Sequence, residues 1–214
     1  RVSLREGLKA QFEEEHRDGR WIRRWRIAAS PDPASTPATP PTTNEAPDIQ
    51  ITTFRTWNEF GLWWASLAPP LVDDKVRAKA LELTTGLSEP TARLRALHRY
   101  VAQEIRYLAL PLGIGRYRAR EPGEVLSTEL GDCKDKFRLL ASLAESVGLT
   151  VEPVLIYASA KRTFVEEAPS PLQFDHVIAR ARLGSDEIWM DPTAELVPMG
   201  SLPRSSRGRP GVAL

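Results

Sequence analysis

Gly131-Asp132-Cys133-Lys134-Asp135-Lys136 marks the point where a polar loop runs into an apolar helical pattern, and it holds the one cysteine of the 214 residues. Phe137, Leu140, Ala144 and Val147 follow at helical spacing and Gly148 stops the run, so a helix is expected over Cys133–Val147. Asp132 is the natural N-cap. Cys133 then falls in the first turn, four residues before Phe137, with its sulfur on the inward side. A thiol attacks as the thiolate, and a free cysteine near neutral pH is mostly protonated. The unpaired N–H groups and macrodipole of a helix start favour the anion, whereas the Asp132 carboxylate opposes it. Lys134 and Lys136 are expected to face solvent. The cap alone therefore does not activate the thiol, and a base is required. A lone cysteine is otherwise a small buried hydrophobe, so the case depends on what the chain brings to it.

Two residues downstream fit. His176 lies in the strand pattern Phe174-Asp175-His176-Val177-Ile178-Ala179, and Asp191 ends Ile188-Trp189-Met190-Asp191 before Pro192. Leu183-Gly184-Ser185-Asp186 between them is hairpin chemistry. With a two-residue Gly184-Ser185 loop, Leu183 pairs with Asp186 and Ile178 lies opposite Asp191. His176 is then the diagonal neighbour of Asp191 on the same face, roughly 7–8 Å away or less between Cβ atoms, within reach of an imidazole–carboxylate hydrogen bond. A slip of one residue would put the two on opposite faces. In this arrangement His176 takes the thiol proton and Asp191 fixes the imidazole. Taken singly, each has a structural alternative: a hydrogen-bonded core histidine, and an Asp-Pro turn at a strand end.

Outward from this centre, residues 1–29 alternate weakly around Trp21, Trp25 and Ile27 and read as strands. Residues 30–47 hold six of the 18 prolines and read as a surface linker. Ile49–Phe54 reads as a short strand. Trp57–Leu67 reads as an amphipathic helix through Phe60, Trp63, Trp64 and Leu67, ended by Pro69-Pro70. Asp73 caps a further helix that Gly86 closes. Ser88 caps the next, with Pro90 in its first turn, and Leu94, Leu97, Val101, Ile105 and Leu108 form its core-facing stripe. Residues 111–131 read as a long loop. Strands are expected near 151–158, 174–182 and 187–191, and the last 15 residues as irregular. Helices segregated from strands argue for an α+β core.

Composition narrows the partners. With 42% apolar and 27% charged residues the chain is globular, and a net charge of +1 implies no strongly charged partner. Arg20-Trp21-Ile22-Arg23-Arg24-Trp25-Arg26 interleaves cations and aromatics as nucleic-acid surfaces can, but overall neutrality favours a strand with arginines in water and tryptophans packed. No nucleic-acid partner is expected. Glu13-Glu14-Glu15 reads as a solvated charge run. No apolar stretch approaches 18 residues, so no membrane insertion by this segment is expected. No signal peptide is visible, although the chain starts at Arg1 and a targeting segment can lie outside it. One cysteine and three widely spaced histidines offer no metal-ligand cluster, and no metal or cofactor is expected. Gly113-Ile114-Gly115 is too short for a phosphate loop. Arg116, Arg118 and Arg120 either line a substrate cleft, favouring an acidic acyl chain, or lie in a solvated loop. His98 reads as a packed histidine.

The 131–136 run, its apolar helix, Gly148 and Val151–Ile156 together resemble the bacterial transglutaminase-like superfamily. Asp175-His176-Val177 and Trp189-Met190-Asp191-Pro192-Thr193 match its His and Asp motifs, and Arg106-Tyr107 and Gly115-Arg116-Tyr117-Arg118 also match. The resemblance covers about residues 70–200. It is nearest the subgroup in which a β-rich domain, DUF3857, precedes the core, so residues 1–55 look like a truncated remnant of that domain and 56–214 like the catalytic one. It implies a papain-like α+β fold, with Cys133 as nucleophile, His176 as base and Asp191 as orienter, and suggests an extracytoplasmic location. The Cys133 N–H is one expected oxyanion donor, and Tyr107 and Gln103 are candidates for the second. The expected function is amide-bond hydrolysis or exchange on a peptide or protein substrate. Peptidase or amidase activity is favoured over crosslinking, because water is always available whereas crosslinking needs a bound amine. A non-catalytic interaction module of the same fold is the alternative from another class.

Overall fold

The structure, a computed structural model, describes residues 2–4, 9–27, 49–68, 73–109, 113–158 and 164–214. The linker expected at 30–47 and Pro69-Pro70 lie outside these residues. In chain order the elements are β1 (Val2–Leu4), β2 (Ala10–Arg17), β3 (Arg20–Ile27), β4 (Ile49–Ile51), α1 (Trp57–Ser66), α2 (Asp74–Leu83), α3 (Pro90–Glu104) and β5 (Arg106–Tyr107). They continue with α4 (Pro122–Thr128), β6 (Leu130–Gly131), α5 (Cys133–Glu145), β7 (Val151–Ile156), β8 (His176–Leu183), β9 (Asp186–Met190) and β10 (Gly211–Ala213).

Helix α5 is the centre of the α+β core. It is buried almost all round: Leu139, Leu140, Leu143 and Ala144 are fully buried, and the polar Asp135, Lys136 and Ser142 nearly so. It packs on α2, α3 and α4 on one side and on β7 and β8 on the other. The sheet runs β10-β7-β8-β9, antiparallel throughout. Strand alternation sorts its two faces: Leu155, Val177, Ala179 and Ala181 join the main core with α5, while Val154, Ile156 and Ile178 form a smaller cluster with Trp189 and Leu202. Along α3, Leu94, Leu97 and Val101 are fully buried and Ile105 nearly so. No helix among the described residues is long and apolar enough to cross a membrane.

Several local expectations are corrected. Leu108 lies beyond α3 and is 40% exposed, because the chain turns extended at Ile105 to form β5. Glu89, not Ser88, takes the α3 cap position, without a side-chain cap bond, and Pro90 is in the first turn. Residues 111–131 are not all loop. Pro122 opens the seven-residue α4, whose Val125 is fully buried, and β6 pairs in parallel with β5. Near the chain end, β10 pairs with β7 where irregular structure was expected. Gly211 makes that pairing possible, since a Cβ there would meet Ile156 Cγ2 at 3.0 Å and the Leu155 carbonyl oxygen at 3.1 Å.

The β2–β3 hairpin turns at Asp18-Gly19, both with positive φ. Glu13, Glu14 and Glu15 are not simply solvated: they pair across the hairpin with Arg26, Arg23 and Arg24. Trp21 is 63% exposed and not packed as expected, although its ring lies 4.8 Å from that of His16. Beyond β4, the Thr52 hydroxyl donates to the Pro169 carbonyl and Trp57 Nε1 to that of Glu166 at 2.8 Å. These contacts tie the start of α1 to the segment that leads into β8.

Candidate active site

The site begins with the cap of α5. Asp132 Oδ1 accepts from the backbone N–H groups of Lys134 (3.1 Å) and Asp135 (3.2 Å), and Asp135 Oδ2 accepts in return from the Asp132 N–H at 3.2 Å. This is a reciprocal capping box, and it fixes Cys133 as the first helical residue. Asp135 is held from behind by Arg120, through the backbone N–H at 2.9 Å and Nε at 3.1 Å. Arg120 also donates to the Leu130 carbonyl on β6. The arginine expected at a cleft wall or in a solvated loop thus braces the turn that carries Cys133.

Lys134 and Lys136 do not face solvent. Both are buried, at 7% and 2% exposure. Lys134 Nζ is ion-paired with Asp132, so the cap charge that would oppose a thiolate is offset within the same turn. Lys136 reaches across to the C-terminal end of α3, where Nζ donates to the carbonyls of Ala102 (3.2 Å) and Ile105 (2.7 Å). A helix end leaves such carbonyls without intrahelical partners, which is why a buried lysine is tolerated there. Burial still pushes its ammonium down to about 8, against the charges of Asp191 and Glu195.

The β8–β9 register supplies the remaining two residues. Leu183 pairs with Asp186 and Ala179 with Met190, around a Gly184-Ser185 turn in which Gly184 has φ +64°. Continued by one residue, this is the register that sets Asp191 against Ile178. His176 Nε2 donates to Asp191 Oδ2 at 2.8 Å. The other carboxylate oxygen of Asp191 accepts from the Thr193 N–H (2.9 Å) and hydroxyl (2.7 Å). His98, buried on α3, donates through Nε2 to the Asp191 carbonyl at 3.3 Å. It is the packed histidine expected, and burial lowers its pKa against that bond.

His176 and Cys133 line the same cleft, near enough for the thiol to bear on the protonation of the imidazole. Burial alone would lower the imidazole, but the Asp191 hydrogen bond and the charges of Asp191 and Cys133 outweigh it and hold the ring at about 10. Asp191 shows the counterpart. Burial would raise it, yet the bonds and charge of His176 and the Thr193 donors keep it below the usual carboxylate value. Parallel pairing of β5 with β6 sets Tyr107 opposite Gly131. Tyr107 lines the same cleft as Cys133. The residue is 55% exposed, and the cleft shields the rest of it. That shielding first, and then the charges of Cys133 and Asp132, push the phenol up to about 12.

Cys133, His176 and Tyr107 line one open cleft of about 430 Å³, walled by Trp64, Arg116, Tyr117 and Phe174. Gln103 does not reach it: its Nε2 donates to the Glu195 carbonyl at 3.4 Å, on the far side of α3, where it lines a separate cavity with His98. Sequence reasoning gave Asp135 and Thr193 no role of their own and placed Arg120 at a cleft wall or in a solvated loop rather than behind the cap. The Asp132–Asp135 spacing is a readable capping-box signal, whereas nothing local announces Arg120.

Comparison with known proteins bears on this arrangement. No curated protein matches the chain. Among solved structures, a "putative protease" from Parabacteroides distasonis superposes with a TM-score of 0.66 at 14% identity, over 92% of this chain and 37% of that one. A "putative cysteine protease" from Cytophaga hutchinsonii gives a TM-score of 0.43 at 15% identity, over 56% of this chain and 37% of that one. The chain thus spans little more than a third of either, and the first likeness shows a shared fold. The family model of the transglutaminase-like superfamily matches residues 77–192, more than half of the chain, from α2 to the end of β9 and across Cys133, His176 and Asp191. The chain belongs to the transglutaminase-like superfamily.

Proposed function

We propose that the protein cleaves amide bonds through an acyl-thioester on Cys133, with water as the usual acceptor and a peptide or protein as substrate. The observation that carries the reading is Cys133 at a helix start in the same open cleft as His176, whose imidazole is hydrogen-bonded to Asp191. In the first half-reaction His176 takes the thiol proton and the sulfur adds to the carbonyl carbon. The imidazolium then protonates the amine, the C–N bond breaks, and a thioester remains. In the second, His176 takes a proton from water, the hydroxide adds, and the C–S bond breaks to release a carboxylic acid and the thiol. Asp191 steadies the imidazolium in both. The Cys133 N–H and the Tyr107 hydroxyl, from two residues that line this cleft, are the proposed donors to the oxyanion.

Native-state alkylation tests the reading. Iodoacetamide is expected to label Cys133 far faster in the folded protein than in urea, and His176→Ala to remove the difference. Equal rates folded and unfolded would end the enzymatic reading and leave a binding module of the same fold. A glutamine peptide, incubated with and without a primary amine, then separates the two chemistries. Released ammonia with a glutamate residue left in place of glutamine, or a cut peptide bond, supports hydrolysis, and an amine adduct as the main product would replace it with transamidation.

A further inference from the structure

We infer that the protein selects substrates by a large apolar side chain within two residues of the reacting carbonyl, seated in a second cavity beside the cleft. The inference rests on the acyl-transfer reading of Cys133. This cavity of about 520 Å³ adjoins the cleft through a common wall of Trp64, Tyr117 and Lys134. Its own lining is mostly apolar, with Leu67 just past α1, Phe137 and Ala141 from α5 and Val151 from β7. Arg138 is its other charged lining residue. Lys134 presents little free charge there, because its ammonium is paired with Asp132.

Distance along α5 sets what can fill it. Phe137 and Ala141 follow Cys133 by four and eight residues, which places them about 6 and 12 Å along the helix axis from the nucleophile at 1.5 Å per residue. An extended peptide advances about 3.5 Å per residue. A side chain on the first or second residue from the carbonyl therefore enters the cavity while the carbonyl stays at the thiol. An apolar concavity continuous with polar reacting groups is the usual form of a specificity pocket.

The probes are peptidyl chloromethyl ketones, whose methylene carbon bonds to the thiolate sulfur as chloride leaves. Acetyl-Phe-Ala and acetyl-Ala-Phe reagents are compared with acetyl-Ala-Ala, and iodoacetamide serves as a reagent that needs no pocket. At least one phenylalanine reagent is expected to label Cys133 roughly 10- to 100-fold faster than the alanine reagent. Ala65, exposed on α1 at the cavity edge, offers a position outside the core. Ala65→Trp is expected to erase that preference by filling the cavity, and Ala65→Asp to reduce it, while the iodoacetamide rate holds. Fast iodoacetamide labelling without a phenylalanine preference overturns the inference alone, as does a preference that Ala65→Trp leaves intact. Iodoacetamide labelling no faster than that of the unfolded thiol overturns the acyl-transfer reading, and this inference with it.

Discussion

Replacing Asp191 by Asn separates a catalytic relay from mere proximity. The two oxygens of Asp191 have different partners: Oδ1 accepts two donors from Thr193, and Oδ2 accepts from His176 Nε2. An asparagine satisfies Thr193 only by turning its amide oxygen that way, which leaves its NH2 facing His176. The imidazole must then accept at Nε2 and carry its proton on the nitrogen nearer the sulfur, where it cannot act as a base. The charge is lost as well. His176 stands at about 10 against an ordinary 6.5, a difference of about 3.5 units or about 5 kcal/mol of favoured protonation. Burial works against that protonation and, with the carboxylate gone, is opposed by Cys133 alone. The acyl-transfer rate is expected to fall about 10⁴-fold, the scale for a base held in the wrong tautomer, with circular dichroism unchanged. The alkaline limb of kcat/KM, near pH 10 in the wild type where the proton for the leaving amine is lost, should move to lower pH. Stability carries the same sign. A raised histidine pKa contributes stability that is complete below pH 6.5 and is lost as pH rises towards 10, so the gap in urea midpoint between wild type and variant should narrow across that window. A variant that keeps a tenth of the activity and the same alkaline limb would refute the argument.

Other substitutions test separate parts of the site. Tyr107→Phe removes one proposed oxyanion donor, so kcat should fall roughly 10²–10³-fold with KM little changed. Iodoacetamide labelling should be spared, because alkylation forms no oxyanion, and an unchanged kcat would remove Tyr107 from that role. Lys136 has its pKa lowered from 10.5 to about 8, so the unfolded chain binds more protons between those values. Wild type should therefore gain up to about 3 kcal/mol over Lys136→Met as pH rises from 8 to 10.5. A flat difference in urea midpoints across that range would contradict a charged, buried Lys136. A Cβ on Gly123 would lie 2.4 Å from Asp73 Oδ2, displacing the carboxylate that caps α2 through the Lys75 and Val76 N–H groups. Gly123→Ala is expected to cost about 1 kcal/mol, the worth of a cap, and an unchanged thermal midpoint would show that the cap had moved without loss.

What the sequence made legible was whatever local chemistry encodes. A two-residue turn fixes the partner of every residue behind it, so Gly184-Ser185 determined that His176 and Asp191 share a face before any tertiary contact was known. The helix from Cys133 and its Asp132 cap were readable for the same reason. The misreadings fall where long-range pairing overrides local signal. Gly211 looked like one more small residue in a polar tail, but its lack of a side chain is what lets β10 approach β7. Pro122 and Gly123 suggested loop, yet Val125 behind them is fully buried under α5.

The two lysines follow the same logic and bear on the chemistry. By composition Lys134 and Lys136 belong outside, since lysine is almost never fully buried unless paired. Each has a partner that spacing alone does not reveal: the cap aspartate two residues back, and the open carbonyls of a helix more than 30 residues away. Lys134 offsets the one charge that made the helix start a poor place for a thiolate. Lys136 fastens α5 to Ile105, two residues before Tyr107, and so ties the helix that starts at Cys133 to the proposed oxyanion donor. The conflict visible in the sequence, an acidic cap beside a thiol proposed to ionise, is thus eased by Lys134, a cation that the same sequence seemed to assign to solvent.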